Sequence, residues 1–351
     1  MLLGLAPALA WGDGDHLRVN FERDGQSRAA VGRVLVRDAQ GGLCLQDDQG
    51  ELYLIQGDEL KDSEDVPSAF VPATAAQVSK RLLDELGEGF QVHTTPHYVV
   101  AYNTTREYAR WLSSMLERLN NAFTNYWTRQ GLKLSEPEFP LVVIVYRDQQ
   151  QYLKASEKEL RGASAIVGYY SLKTNRVNVY DLTGAERSRA TPGGRSSLRE
   201  INQMLSSPRS LPLVATIVHE ATHQVAFNTG MMARFADLPL WLVEGMAVYF
   251  EAPDLSSGRG WRGIGKVNYP RLQGFQARMA NWGPAALAEL IKSDARLRDP
   301  QTAASAYAEA WAMNYYLIKS RPKEYRAYLQ ALAKKQPFEA STAQQREAEF
   351  T

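Results

Sequence analysis

Residues Val214–Phe227 read VATIVHEATHQVAF, and the reading of this stretch decides how the rest of the chain is read. His219 and His223 sit four positions apart, with Glu220 directly after the first. On a helix, positions four apart lie one above the other on the same face. Both imidazoles can then turn a nitrogen toward one ion, at the ~2.0–2.1 Å that zinc prefers. Glu220 is rotated by about 100° from His219, so it can reach a water on such an ion without ligating it. That arrangement suits metal-assisted hydrolysis, in which a carboxylate takes the proton as water attacks a carbonyl. The bland alternative is a helix with two core histidines. The flanking apolar residues predict a buried helix, and burying two imidazoles and a carboxylate without partners costs several kcal/mol. A shared metal removes that cost.

A catalytic zinc takes three protein ligands and keeps one position open. No histidine follows His223, so the third ligand is a carboxylate or comes from upstream. The stretch LPLWLVEGMAVYFE, residues 238–251, supplies Glu244 on a second apolar helix, where an unpaired carboxylate is as costly as the histidines. Gly245 beside it is expected to permit close approach of the two helices. Glu251, at the end of the same helix, reads as a solvated terminal charge.

An H-E-x-x-H helix, a loop, and then W-x-x-E-G on a second helix resembles the gluzincin metallopeptidases, the thermolysin-like branch of the zincins. From about residue 97 to 335 the chain is similar to the peptidase-MA-like group of bacterial proteins. The matching pieces are HYVVAYN, LVVIVYRD, VGYYSLKTNRVNVYD, VHEATHQ, WLVEGMAVYFE and YAEAWAMNYYL. The resemblance implies that His219, His223 and Glu244 ligate Zn²⁺ and that Glu220 is the general base and later proton shuttle. It implies that the strand around VGYYSL is a sheet edge to which an extended peptide can add. It also implies a donor for the developing oxyanion, for which Tyr307 is the candidate, with Tyr249, Tyr315, Tyr169 and Tyr170 competing. Where the thermolysin-like enzymes carry an acidic residue four positions after the ligand glutamate, this chain has Val248. The outer partner of the histidines must come from elsewhere, and Asp237 is the candidate.

The remaining histidines carry no comparable signal. His93 and His97 flank a short turn and read as surface or packing residues, and His16 stands near the start. Cys44 is the one cysteine, so no intramolecular disulfide forms; it reads as a small buried side chain. With 40 basic and 39 acidic residues the net charge is +1, which gives no electrostatic footprint for nucleic acid. The expected partner is a peptide or protein substrate.

The order of elements predicts an α+β fold: a zincin-like mixed sheet with the active-site helix and a helical C-terminal half, preceded by a small antiparallel β unit. Residues 1–10 read as a possible truncated signal peptide, with cleavage before Trp11, so export to the periplasm or outside is expected. Residues 11–60 read as the β unit, 61–72 as a linker, 73–336 as the metallopeptidase domain and 337–351 as a polar tail that frays. No stretch approaches the ~20 apolar residues of a membrane span. Two functions of different class stand open: a zinc metallopeptidase hydrolysing peptide bonds, and an idle zincin-fold scaffold with a structural zinc. Glu220 separates them, because a purely structural site has no need of a carboxylate there. A third possibility gives the task to the β unit, as a partner-binding module.

Overall fold

The computed structural model describes residues 15–160, 167–184, 197–257 and 260–351. The signal-like segment at the N-terminus lies outside these residues. Five strands open the described chain: β1 His16–Arg23, β2 Gln26–Arg37, β3 Leu43–Gln46, β4 Leu52–Ile55 and β5 Leu60–Asp65. They form one sheet in the order β4-β3-β2-β1-β5, and all of its pairings are antiparallel. The turn β1–β2 places Asp24 and Gly25 at positive φ, the chemistry a two-residue hairpin needs. β5 occupies the start of the expected linker. Its LKDSED sequence is polar because it pairs with β1 at an exposed sheet edge, where charge protects against further pairing.

A second sheet comprises β6 Gln91–Thr94, β7 Tyr98–Tyr102, β8 Leu141–Tyr146, β9 Gly168–Tyr170 and β10 Arg176–Tyr180. Its order is β6-β7-β8-β10-β9. The central strands β7, β8 and β10 run parallel, and β6 and β9 close the two edges antiparallel. Helices lie on both faces, so the apolar run LVVIVY of β8 is buried throughout. Alternate side chains go to opposite sides. Val99, Ala101, Val142 and Ile144 meet α1 (Ala75–Leu86) and α3 (Gln149–Leu160). Val100, Tyr102, Val143 and Val145 meet α2 (Arg106–Arg129) and the larger core. The Thr74 side chain caps α1 in a capping box with Gln77, and Thr105 caps α2.

The second half is helical: α4 Leu198–Leu205, α5 Leu211–Asn228, α6 Leu240–Phe250, α7 Tyr269–Gln276, α8 Pro284–Lys292, α9 Ala295–Arg298, α10 Ala303–Ser320, α11 Pro322–Leu332 and α12 Ala343–Phe350. After α6, sequence periodicity predicts three helices up to residue 335. The structure divides that stretch further, with prolines standing in the first turns of α7, α8 and α11. The described chain is therefore a mixed α/β protein with two sheets, a small antiparallel one first, and a helical C-terminal half.

Two expectations need correction. The polar tail carries a helix, α12. Its Arg346 is buried against Asp237 and Asp294, and its Phe350 ring packs on Trp241 and Tyr328. The second concerns Gly245. A Cβ there would stand 2.1 Å from Asn314 Nδ2 and 2.4 Å from the Ala310 carbonyl, so the close approach it allows is between α6 and α10. It does not face α5.

Candidate metal centre

α5 is apolar nearly all round and runs beneath the second sheet. Gln224, fully buried, fixes it there: its side-chain amide donates to the carbonyls of Val142 and Asn175. That anchor leaves one turn of α5 facing the helical half, where α6 crosses it. His219 and His223 point from this turn, and Glu244 meets them from α6.

The three donor atoms converge. His219 Nε2 lies 3.1 Å from His223 Nε2 and 3.1 Å from Glu244 Oε2, and His223 Nε2 lies 3.6 Å from Glu244 Oε2. A tetrahedral ion bound at ~2.1 Å holds its donors about 3.4 Å apart. The set therefore fits a divalent ion in both spacing and chemistry, with two imidazoles and one carboxylate. These side chains keep only 12, 11 and 16% of their surface exposed. Among the described residues, this buried group could hold a metal ion.

The charges respond to one another. Burial disfavours a charge on His219, but Glu244 and Glu251 at its two ring nitrogens outweigh that and raise its pKa. Glu244 is held well below the usual carboxylate range against its burial, because His223 and His219 stabilise its charge. Burial pushes Glu220 upward, and the neighbouring Glu244 charge adds to this.

Glu220 lies outside this converging group. Its Oε2 accepts the backbone N–H of Tyr170 at 2.9 Å, which ties it to the edge strand β9. That strand, Glu220, the two histidines, Glu244 and Tyr307 share the wall of one cavity of about 550 Å³. Tyr307, on α10, hydrogen-bonds Glu244; burial, the carboxylate charge and that bond all raise its pKa, so the hydroxyl keeps its proton. The competing tyrosines are engaged elsewhere. The Tyr249 hydroxyl meets that of Tyr126, Tyr169 donates to Glu159, Tyr170 donates to Asn175, and Tyr315 packs on Tyr249 and Trp311.

The outer partner of the histidines is Glu251. Its Oε2 stands 3.1 Å from His219 Nδ1, and its Oε1 accepts from Asn268 Nδ2 at 2.7 Å. Sequence reasoning read Glu251 as a solvated charge, but only 14% of its side chain is exposed. The other candidate, Asp237, pairs with Arg346 and accepts the Ser341 N–H, and it makes no hydrogen bond to either histidine. The signal for Glu251 lay in its spacing, seven residues after Glu244 and hence two turns along the same face. His16, His93 and His97 are remote from the centre. The His97 ring pairs with Glu117 and Glu136, and that of His16 with the Ser68 carbonyl.

Fold and site together define a mixed α/β protein with a buried His-His-Glu group suited to a metal ion. A family model described as "Protein of unknown function (DUF1570)" matches residues 213–339. The match covers all but the first two residues of α5, all of α6, and Glu251 and Tyr307. No curated protein matches the chain. No helix among the described residues is long and apolar enough to cross a membrane.

Proposed function

We propose that this chain is a gluzincin-type zinc metallopeptidase with a zincin-like core, acting on a peptide or protein outside the cytoplasm. The observation that carries the reading is the convergence of His219, His223 and Glu244 beside a carboxylate, Glu220, that is held by the edge strand and left out of the donor set. A scaffold with a structural metal has no use for that carboxylate.

Zinc at this triad would supply a Lewis acid that acidifies water and polarises a carbonyl. The rest falls to the chain's own residues. Glu220 takes the proton of the attacking water and delivers it to the leaving amine. The Tyr170 N–H fixes Glu220 by one oxygen and leaves Oε1 for the proton. Tyr307, protonated and facing the same cavity, donates to the developing oxyanion. Glu251, held by Asn268, orients the His219 ring so that Nε2 faces the ion. The exposed side of β9 receives an extended peptide as one more strand.

The test compares wild type with Glu220→Gln. Both are expected to bind one zinc per chain, and only wild type is expected to cleave members of a mixed peptide library. Equal zinc with no cleavage by either protein would favour the idle scaffold.

A further inference from the structure

Arg234 stands between the two ligand helices, and its guanidinium makes one hydrogen bond, from Nη1 to the Leu172 carbonyl at 3.1 Å. Among the described residues it forms no ion pair, and burial lowers its pKa. A guanidinium offers five N–H donors in a fixed fork, so most of this one is without an acceptor. The residue is half-buried, and its side chain lines a cavity in which an acceptor could meet the remaining donors.

The surroundings suggest what does. Arg234 lines a cavity of about 280 Å³ between the N-terminal sheet and the second half of the chain, together with Arg33, Gln46, Glu138 and Asn228. Arg33 is already neutralised by Glu138, with 2.5 Å between Nη2 and Oε2, and it also donates to Gln46. The wall therefore keeps one positive charge in excess, that of Arg234. Cys44, also in the wall, stays a neutral thiol because burial pushes its pKa up to about 12. Asp47 lies close enough for its charge to be felt, but its Oδ1 is committed to the N–H groups of Gln49 and Glu51. The volume falls below the ~300–1,000 Å³ of pockets for whole small ligands, so it suits a single side chain or a chain end.

The cavity also adjoins the metal centre. Phe227 forms part of both walls. Leu172, whose carbonyl Arg234 holds, follows two residues after Tyr170, whose N–H meets Glu220. Leu172 stands in the turn that follows β9, so Arg234 lies just past the end of the edge strand that holds Glu220.

We propose that this cavity is a subsite for a carboxylate of the substrate, with Arg234 as its anchor. The inference rests on the peptide-cleft reading above and gives it a specificity: an acidic side chain, or the terminal carboxylate, near the cleaved bond. The N-terminal sheet then takes part in binding, since it supplies Arg33, Cys44 and Gln46 to the wall.

The test uses zinc-loaded Glu220→Gln, which holds peptides uncut, and measures dissociation constants by fluorescence anisotropy. The peptides carry Glu or Gln at each position in turn, each made both as the free acid and as the terminal amide. Expected is a preference of roughly tenfold or more for Glu over Gln at one position, or for acid over amide if the chain end is the group bound. Adding Arg234→Gln should abolish that preference, and Arg234→Lys should restore part of it. In the wild-type background, Arg234→Gln should leave the melting temperature nearly unchanged, because no ion pair is broken. Peptide binding without discrimination, or discrimination that survives Arg234→Gln, overturns the subsite alone. A lowered melting temperature with unchanged preference makes Arg234 a purely structural residue. Failure of every peptide to bind overturns the peptide cleft itself.

Discussion

Glu251 and Glu244 hold the same imidazole from opposite sides: each places an Oε2 3.1 Å from a ring nitrogen of His219, the first at Nδ1 and the second at Nε2. The Nδ1 contact sets which nitrogen is free to face the ion. Partners of this kind are typically worth 10–100-fold in metal affinity. Glu251→Gln is therefore expected to weaken zinc binding by about one order of magnitude or more, read by competition with a chromophoric chelator. Asn268→Ala, which frees the other oxygen of Glu251, should have a smaller effect of the same sign. Unchanged affinity in Glu251→Gln would remove it from the centre.

Glu244→Ala removes one of the three proposed ligands and leaves the two imidazoles. Zinc occupancy should fall sharply, and the stabilisation that zinc gives should fall with it. A ligand present at about a thousandfold over its dissociation constant contributes roughly 4 kcal/mol. Chelation should therefore lower the melting temperature of wild type by several degrees and leave that of Glu244→Ala nearly unchanged. Calorimetric scans with and without zinc read the difference.

Tyr307→Phe keeps the ring in place and deletes only the hydroxyl. If that hydroxyl donates to the oxyanion, kcat is expected to fall by about 10²–10³-fold with little change in KM. A tyrosine that merely supports Glu244 would instead lower zinc affinity. Measuring both quantities on the same preparation separates the two.

Arg346 joins the C-terminal helix to Asp237 and Asp294, and only 8% of its side chain is exposed. Removing one partner of such a buried group costs about 3–5 kcal/mol, so Arg346→Ala should destabilise the helical half measurably in a urea titration. The pH dependence has a definite sign. Partial burial works against the Asp237 charge, but the Ser341 N–H and Arg346 outweigh it, so its folded pKa lies below the ordinary carboxyl value. A group lowered in this way binds more protons when unfolded. Its stabilisation is fully present above the unfolded pKa and is lost as pH falls through the folded one. Acid titration of stability should show a loss in that range that Asp237→Asn lacks.

The meeting of α5 and α6 was legible because buried polar residues at helical spacing are conspicuous on an apolar surface: His219, His223 and Glu244 come together as their sequence contexts imply. The central sheet was legible for a similar reason, since a continuous apolar run such as LVVIVY fits only a strand covered on both faces. What escaped depends on contacts made far along the chain. Glu251 is enclosed only because Asn268 comes back to it across a loop. Asp237 was drawn toward the histidines by nearness in sequence, whereas its partner Arg346 lies 109 residues away in a segment whose composition reads as a fraying tail. α12 had a local signal in the capping box of Thr342 and Gln345, but its packing, with Phe350 against Trp241 and Tyr328, depends on distant residues. Arg234 gave no signal at all, because an arginine in a loop is ordinary until its guanidinium proves to have no ion-pair partner among the described residues.

The central claim is a three-residue zinc centre with an open fourth position. X-ray absorption at the zinc edge of the purified, zinc-loaded protein tests it most directly. The account predicts a four-coordinate shell of nitrogen and oxygen at ~2.0–2.1 Å containing two imidazoles. It also predicts that His223→Ala loses one imidazole from that shell and Glu244→Ala loses one oxygen. A protein that binds no zinc, or whose zinc spectrum is unchanged by both substitutions, would contradict it.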